Sequence, residues 1–277
     1  MRADEVRTIL ESLGKRPSKR LGQHFLIDER VLNRQVALAE LSEEDTVLEI
    51  GPGIGNLTEA ILASGASVVA VERDDEFCRF LRRRFGERIA LIQGDAVRAF
   101  LPEFDKVVAN LPYKISSPMT FKLLDKGFKR AVVMVQREFA ERMTAEPGTC
   151  DYGRLSVGVY YRSTCEISAK VGRGSFWPQP DVDSCLVTLS PREPPFAVAD
   201  ERTFFDVTKA IFSHRRKKIM NALASDPIAK RCASEAASAA FAELPNADKR
   251  AEELSPEEIG ELSDAFLELT RSPRRTG

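Results

Sequence analysis

The chain has two histidines, one tryptophan and five cysteines in 277 residues. Cys78, Cys150, Cys165, Cys185 and Cys232 form no C-x-x-C pair, and their number is odd. That spacing argues against both a structural zinc site and a disulfide framework, so no metal is expected. Reduced thiols fit a cytoplasmic protein. No apolar run approaches the ~20 residues that a membrane span requires. Residues 1–15 are charged throughout and lack the apolar core of a signal peptide. An excess of charge is missing too, because the formal net charge is −1. A near-neutral total can still hide a basic face, so charge has to be read in clusters. What is present is 43% hydrophobic residues, enough for one large domain with a smaller one beside it.

Apolar spacing at Val6, Ile9, Leu10 and Leu13 predicts a short helix over residues 3–13, and a second helix over 28–41 is capped by Asp28. A regular alternation then begins. Strands are expected at Thr46–Ile50, 68–72, Ile89–Gln93, Lys106–Asn110 and 131–136, with helices over 57–64 and 74–84. These runs are short, β-branched and continuous, as in strands buried on both faces of a parallel sheet. Strands alternating with helices predict a doubly wound, mostly parallel α/β domain. A helix over 153–162 and two strands near 164–171 and 184–190, paired at the sheet edge, complete it. Three prolines within residues 190–195 mark a boundary. The expected division is 1–192 for the α/β domain and 193–277 for a small helical one. The last residues, 271–277, read as a frayed tail.

The first strand runs into Gly51-Pro52-Gly53-Ile54-Gly55-Asn56. Glycines there let a ligand approach the backbone and the following helix N-terminus. A dinucleotide fingerprint fits poorly, because Asn56 stands where Gly or Ala is needed and the third glycine comes one place early. With Glu49, the run instead resembles the E-x-G-x-G-x-G pattern of methyltransferases that bind S-adenosylmethionine, in which the acid helps hold the methionine end. Glu72 ends the next strand, where a carboxylate can accept both ribose hydroxyls. Asp95 follows the third strand within Gln93-Gly94-Asp95-Ala96 and can reach an adenine amino group. Each acid alone has an ordinary reading as a solvated side chain or a cap. Three in order, each at a strand's carboxyl end, point to a ligand site.

The strand at Lys106 ends in Asn110-Leu111-Pro112-Tyr113. This resembles the N/D/S-P-P-Y/F motif of methyltransferases that modify exocyclic amino groups of bases. Such a nitrogen is a poor nucleophile because its lone pair is delocalised into the ring. The Asn110 side-chain oxygen and a backbone carbonyl near Leu111 can accept its two N–H bonds and localise the lone pair. Pro112 fixes the turn, and Tyr113 can stack on an extruded base. Positioning and hydrogen bonding then carry catalysis.

Taken together, Leu21-Gly22-Gln23-His24-Phe25-Leu26, the 49–55 and 110–113 runs, Tyr152-Gly153-Arg154-Leu155-Ser156-Val157, Phe176-Trp177-Pro178-Gln179-Pro180-Asp181-Val182-Asp183-Ser184 and Phe212-Ser213-His214-Arg215-Arg216-Lys217-Lys218 resemble the ribosomal RNA adenine N6,N6-dimethyltransferases of the KsgA type. The resemblance spans residues of about 15 to 225 and leans toward archaeal members, which have His24 where bacterial ones usually have Asn. It implies a class I S-adenosylmethionine-dependent fold and dimethylation of two adjacent adenosines in a hairpin near the 3′ end of small-subunit rRNA. It also implies a monomer that meets the immature small ribosomal subunit and takes part in its biogenesis. Cofactor contacts would come from His24, Leu26, Glu49, Gly51, Gly53, Gly55, Glu72, Asp95, Ala96 and Asn110. Phe176 would face Tyr113 across the target base; on its own it would read as core.

Two basic clusters lack nearby acids: Lys15, Arg16, Lys19 and Arg20, and Lys209, Arg215, Arg216, Lys217 and Lys218. Both are expected to track RNA phosphates. A resistance-type methyltransferase of the large subunit would carry similar motifs, but the 153–157 and 215–218 segments favour the small-subunit reading. An assembly factor without catalysis would not need an intact 110–113 motif.

Overall fold

The computed structural model describes residues 1–17, 23–227 and 240–271. The chain divides into two compact units, one made of Met1–Glu141 with Thr164–Arg192 and the other of Arg142–Ser163 with Glu193–Gly277.

The first unit opens with helix α1 (Ala3–Ser12), strand β1 (Phe25–Leu26) and helix α2 (Glu29–Ala39), which Asp28 caps by accepting the Arg30 amide. The alternation follows as β2 (Thr46–Ile50), α3 (Asn56–Leu62), β3 (Ser67–Glu72), α4 (Asp75–Phe85), β4 (Ile89–Gln93), β5 (Lys106–Asn110), α5 (Ser116–Lys126) and β6 (Arg130–Gln136). Helix α6 (Arg137–Met143) leads out of this alternation, and α7 (Arg154–Arg162) precedes β7 (Ser163–Val171), β8 (Phe176–Trp177) and β9 (Ser184–Pro191). The main sheet has seven strands in the order β4-β3-β2-β5-β6-β9-β7. Strands β2 to β6 pair in parallel, and β9 runs antiparallel to β6. The doubly wound, mostly parallel expectation is met. The central strands β2, β5 and β6 are buried nearly end to end, which explains their unbroken apolar runs. Strand β4 lies at an edge and is only partly buried, so its continuous pattern reads more deeply buried than it is.

The chain winds outward from β2 through β3 to β4, then returns to the other side of β2 for β5 and β6. The reversal falls between β2 and β5. Their pairing ends at Leu48 and Val107, short of both carboxyl ends, so the strands part there and open a crevice. The small ribbon β1–β8, in the register Phe25↔Trp177 and Leu26↔Phe176, brings two distant sequence segments together. No periodicity announced it, because two residues carry no period.

The second unit is helical. Helices α7, α8 (Glu201–Ser213), α9 (Ile219–Ser225) and α10 (Pro256–Arg271) surround a core that includes Tyr161, Phe204, Ile211, Phe241 and Leu262. Tyr161 packs on Phe204 and Phe196 with ring centroids 4.8 and 5.1 Å apart. The two units divide between Arg192 and Glu193, but one segment expected in the α/β domain belongs to the other unit. Residues 142–163 group with the helices because Tyr152, Val157 and Tyr161 bury their side chains in that core.

Candidate active site

A cavity of about 490 Å³ opens at the carboxyl ends of β2, β3, β4 and β5, within the usual size range for a cofactor site. Its wall includes His24, Leu26, Glu49, Gly51, Gly53, Glu72, Asp95, Ala96, Asn110 and Pro112, all expected from sequence.

Glu49 sits at the base of the turn and is 1% exposed. The Thr58 hydroxyl, on the buried face of α3, donates to its Oε2 at 2.6 Å. Burial pushes the Glu49 carboxyl up to about 8, against the Thr58 bond and with help from the nearby Glu72 charge. Glu72 is held differently. Its Oε2 accepts the Gly53 amide at 3.0 Å, and its Oε1 accepts the Arg73 and Asp74 amides at 2.8 and 2.9 Å. Burial raises its pKa and the three amides oppose that. Oε1 already accepts two bonds, so the free acceptor capacity for a ligand lies on Oε2. Asp95 uses Oδ1 to cap its own turn through the Val97 amide at 3.0 Å. The capping reading of Asp95 is thus also true, and Oδ2 lies 3.9 Å from the Arg73 guanidinium.

Gly51 has φ +69°, and a Cβ there would stand 3.5 Å from the Pro112 ring. The glycine turn and the 110–113 turn are therefore packed against each other. The second turn is anchored to β6 by the Leu111 amide, which donates to the Met134 carbonyl at 3.1 Å. The Pro112 carbonyl accepts the Ile115 amide at 2.9 Å, closing the turn that enters α5. Asn110 Oδ1 is buried and has no hydrogen-bond partner among the described residues. A buried acceptor left unpaired costs roughly 1–3 kcal/mol unless a ligand supplies the donor.

The N-terminal segment closes another wall. His24 Nδ1 lies 2.8 Å from the Pro178 carbonyl, which in the neutral ring requires the Nδ1–H tautomer and leaves Nε2 as an acceptor. The His24 and Tyr113 rings stack with centroids 6.1 Å apart. The Tyr113 hydroxyl lies 3.1 Å from Ser184 Oγ, and burial raises its pKa.

Four expected site residues are not on the cavity wall. Gly55 faces Phe85 and Leu81, so its role in this structure is steric. Leu111 is buried behind the turn. Tyr113 stacks on His24, which lines the cavity. Phe176 is 4% exposed and packs in the main core, on the strand that pairs with Leu26. Sequence reasoning missed Thr58, Phe77, Lys114 and Ile115, of which the last three line the cavity. It also met Asn56 only as a misfit. The Asn56 amide donates to the Leu26 carbonyl at 2.9 Å and pins the N-terminal segment.

The basic clusters divide. Lys15 is paired with Asp74 and lies over the Phe77 ring, 5.1 Å from its centroid, so it is consumed within the fold. Arg16 is exposed, and Lys19 and Arg20 lie outside the described residues. Arg215 is likewise consumed, donating to Glu252 Oε2 at 2.6 Å and to the Thr149 and Cys150 carbonyls. The acids that neutralise Lys15 and Arg215 come from other elements, which the linear sequence hides. Lys209, Arg216, Lys217 and Lys218 are exposed, and no acidic partner reaches them among the described residues.

The cavity's donor set fits S-adenosylmethionine: carboxylates for an ammonium and a diol, apolar walls, and an unpaired amide oxygen. Known proteins agree. A family model described as ribosomal RNA adenine dimethylase matches residues 14–261. A probable ribosomal RNA small subunit methyltransferase A of Methanosarcina mazei is 47% identical, covering 89% of this chain and 92% of that protein. One from Thermococcus gammatolerans is 43% identical over 92% and 91%. Among solved structures, a dimethyladenosine transferase from Plasmodium falciparum is similar at TM-score 0.73 and 30% identity, over 89% of this chain and 98% of that one. The 23S rRNA methyltransferase ErmE follows at TM-score 0.64 and 27% identity, over 88% and 99%. By the family match over most of its length and by these identities, the chain belongs to the ribosomal RNA adenine dimethylase family.

Proposed function

We propose that this protein transfers methyl groups from S-adenosylmethionine to N6 of two adjacent adenosines near the 3′ end of small-subunit rRNA, giving N6,N6-dimethyladenosine. The observation that carries the reading is the buried, unpaired Asn110 Oδ1 on the cavity wall beside Pro112. An exocyclic amino group supplies the missing donor. The Leu111 carbonyl, next in the chain, is the partner for its second N–H. Accepting both bonds draws the lone pair out of the ring and aims it at the methyl carbon. When bound, S-adenosylmethionine supplies that carbon on a sulfonium leaving group. Glu49 meets the cofactor's ammonium, Glu72 its ribose hydroxyls and Asp95 its adenine amino group. Gly51, Gly53, His24, Leu26 and Ala96 shape the remaining walls. Tyr113, already stacked with His24, is the platform for the target base, and Phe176 acts from behind the Leu26 strand by holding that wall in place.

The helical unit, joined by residues 142–163, is proposed as the rRNA-binding part, with Lys209, Arg216, Lys217 and Lys218 tracking phosphates and Arg16 doing so on the first unit. The enzyme is proposed to act as a cytoplasmic monomer on the immature small ribosomal subunit. No helix among the described residues is long and apolar enough to cross a membrane.

The test is methyl transfer from labelled S-adenosylmethionine to small subunits lacking the modification, read by nucleoside mass spectrometry. N6,N6-dimethyladenosine is expected, and Asn110→Ala is expected to abolish it while cofactor binding persists in part. Methylation confined to large-subunit RNA would favour the ErmE-like alternative and overturn the substrate reading.

A further inference from the structure

Lys122 takes no part in the site as described, yet its ammonium has three backbone carbonyls as hydrogen-bond acceptors. It sits two turns into α5, the helix that the 110–113 turn enters. Its Nζ donates to the carbonyls of Ala96 at 2.7 Å, Val97 at 3.1 Å and Ala99 at 2.6 Å. An ammonium has three N–H donors, and all three go to one loop. That loop is the Asp95–Ala96 wall of the cavity. It is wound into a single turn by the Arg98 and Ala99 amides, which donate to the Asp95 carbonyl at 2.9 and 2.7 Å. The turn leaves its next carbonyls pointing together with no helix to continue them, and a cation is the partner they require.

We propose that Lys122 is a positioning residue for cofactor recognition: it locks the Asp95–Ala96 loop at the adenosyl end of the cavity and ties that loop to the helix carrying the catalytic turn. The groups facing Lys122 are the three carbonyls and the Asp95 carboxylate, whose charge favours the ammonium while burial disfavours it. Lys122 touches neither the cavity nor the reacting atoms, so its effect passes through the loop. The inference rests on reading the cavity as the cofactor site.

Lys122→Met keeps an unbranched side chain out to the ε carbon and removes the ammonium with all three donors. Its affinity for S-adenosylhomocysteine, measured by calorimetry on the whole protein, is expected to fall about tenfold. Methylthioadenosine, which holds only the adenosyl end, should weaken by the same factor. The KM for S-adenosylmethionine should rise in step, with kcat at saturating cofactor reduced less than about twofold. A purely structural role would instead lower the unfolding midpoint and leave the affinity of the folded fraction unchanged, and that result overturns the proposal. So does a loss for S-adenosylhomocysteine that spares methylthioadenosine. If the wild-type protein binds neither compound, the cavity reading fails instead, which separates the two failures. Should Lys122→Met not fold, Lys122→Arg carries the same test. It keeps the charge but not the tetrahedral donor geometry, so a loss of about threefold is expected and wild-type affinity overturns the idea.

Discussion

Replacing Gly55 by alanine separates a ligand-contact role for this glycine from a packing role. Gly55 has φ +85°, in the left-handed region, where a side chain costs roughly 1–2 kcal/mol. The new Cβ would stand 2.4 Å from Phe85 Cε2, 2.8 Å from its Cζ and 3.2 Å from Leu81 Cδ2. Phe85 is 4% exposed, so its ring has no free space into which to turn. Overpacking of that kind adds about 1–3 kcal/mol. The total, about 2–5 kcal/mol, is a large part of the roughly 5–15 kcal/mol that holds a typical domain folded. Urea unfolding of wild type and Gly55→Ala reads it as a lower midpoint at unchanged slope. The Phe85→Leu background should relieve the overlap and return about 1–2 kcal/mol, seen as a coupling energy in the double-mutant cycle. Affinity for S-adenosylhomocysteine, corrected for the folded fraction, should stay within about threefold of wild type. A variant as stable as wild type, or a cycle with no coupling, would refute the packing argument. A folded variant that has lost the cofactor would return Gly55 to the binding site.

Glu49 makes stability depend on pH. Its folded carboxyl holds a proton up to about 8, above the ordinary 4.5, so its contribution is complete below about 4.5 and is lost as pH rises through 8. Glu49→Gln should flatten that share of the slope, measured as urea midpoints at several pH values; an unchanged slope would show that Glu49 is already ionised. An ammonium placed beside Glu49 favours its charged form, so cofactor binding near neutral pH should release a proton, read by calorimetry in buffers of different ionisation enthalpy. The basic residues should also split by variant. Arg216, Lys217 and Lys218 changed together to alanine should reduce the salt dependence of RNA binding by about two to three in the log–log slope with stability unchanged. Arg215→Ala should instead destabilise by about 1–2 kcal/mol, because it strips Glu252 and two carbonyls of their donor. Equal effects on both readouts would contradict the division drawn between these neighbours.

Local pattern was enough to determine the alternation of strands and helices, the Asp28 cap and the order of the glycine turn, three acids and Asn110. Those features rest on interactions within a few residues, where burial period and turn chemistry leave a direct trace. The tertiary structure decided whatever depends on partners far along the chain. It set Asn56 under Leu26, Thr58 against Glu49 and Lys122 beneath the Asp95 loop, and it moved residues 142–163 into the helical core. It also turned Lys15 and Arg215 from apparent RNA contacts into internal ion pairs with Asp74 and Glu252. A charge or a hydroxyl carries no periodic signature of its partner. Which acid meets which base, and which glycine is needed for a neighbouring ring, follows only once packing has fixed the distances between elements.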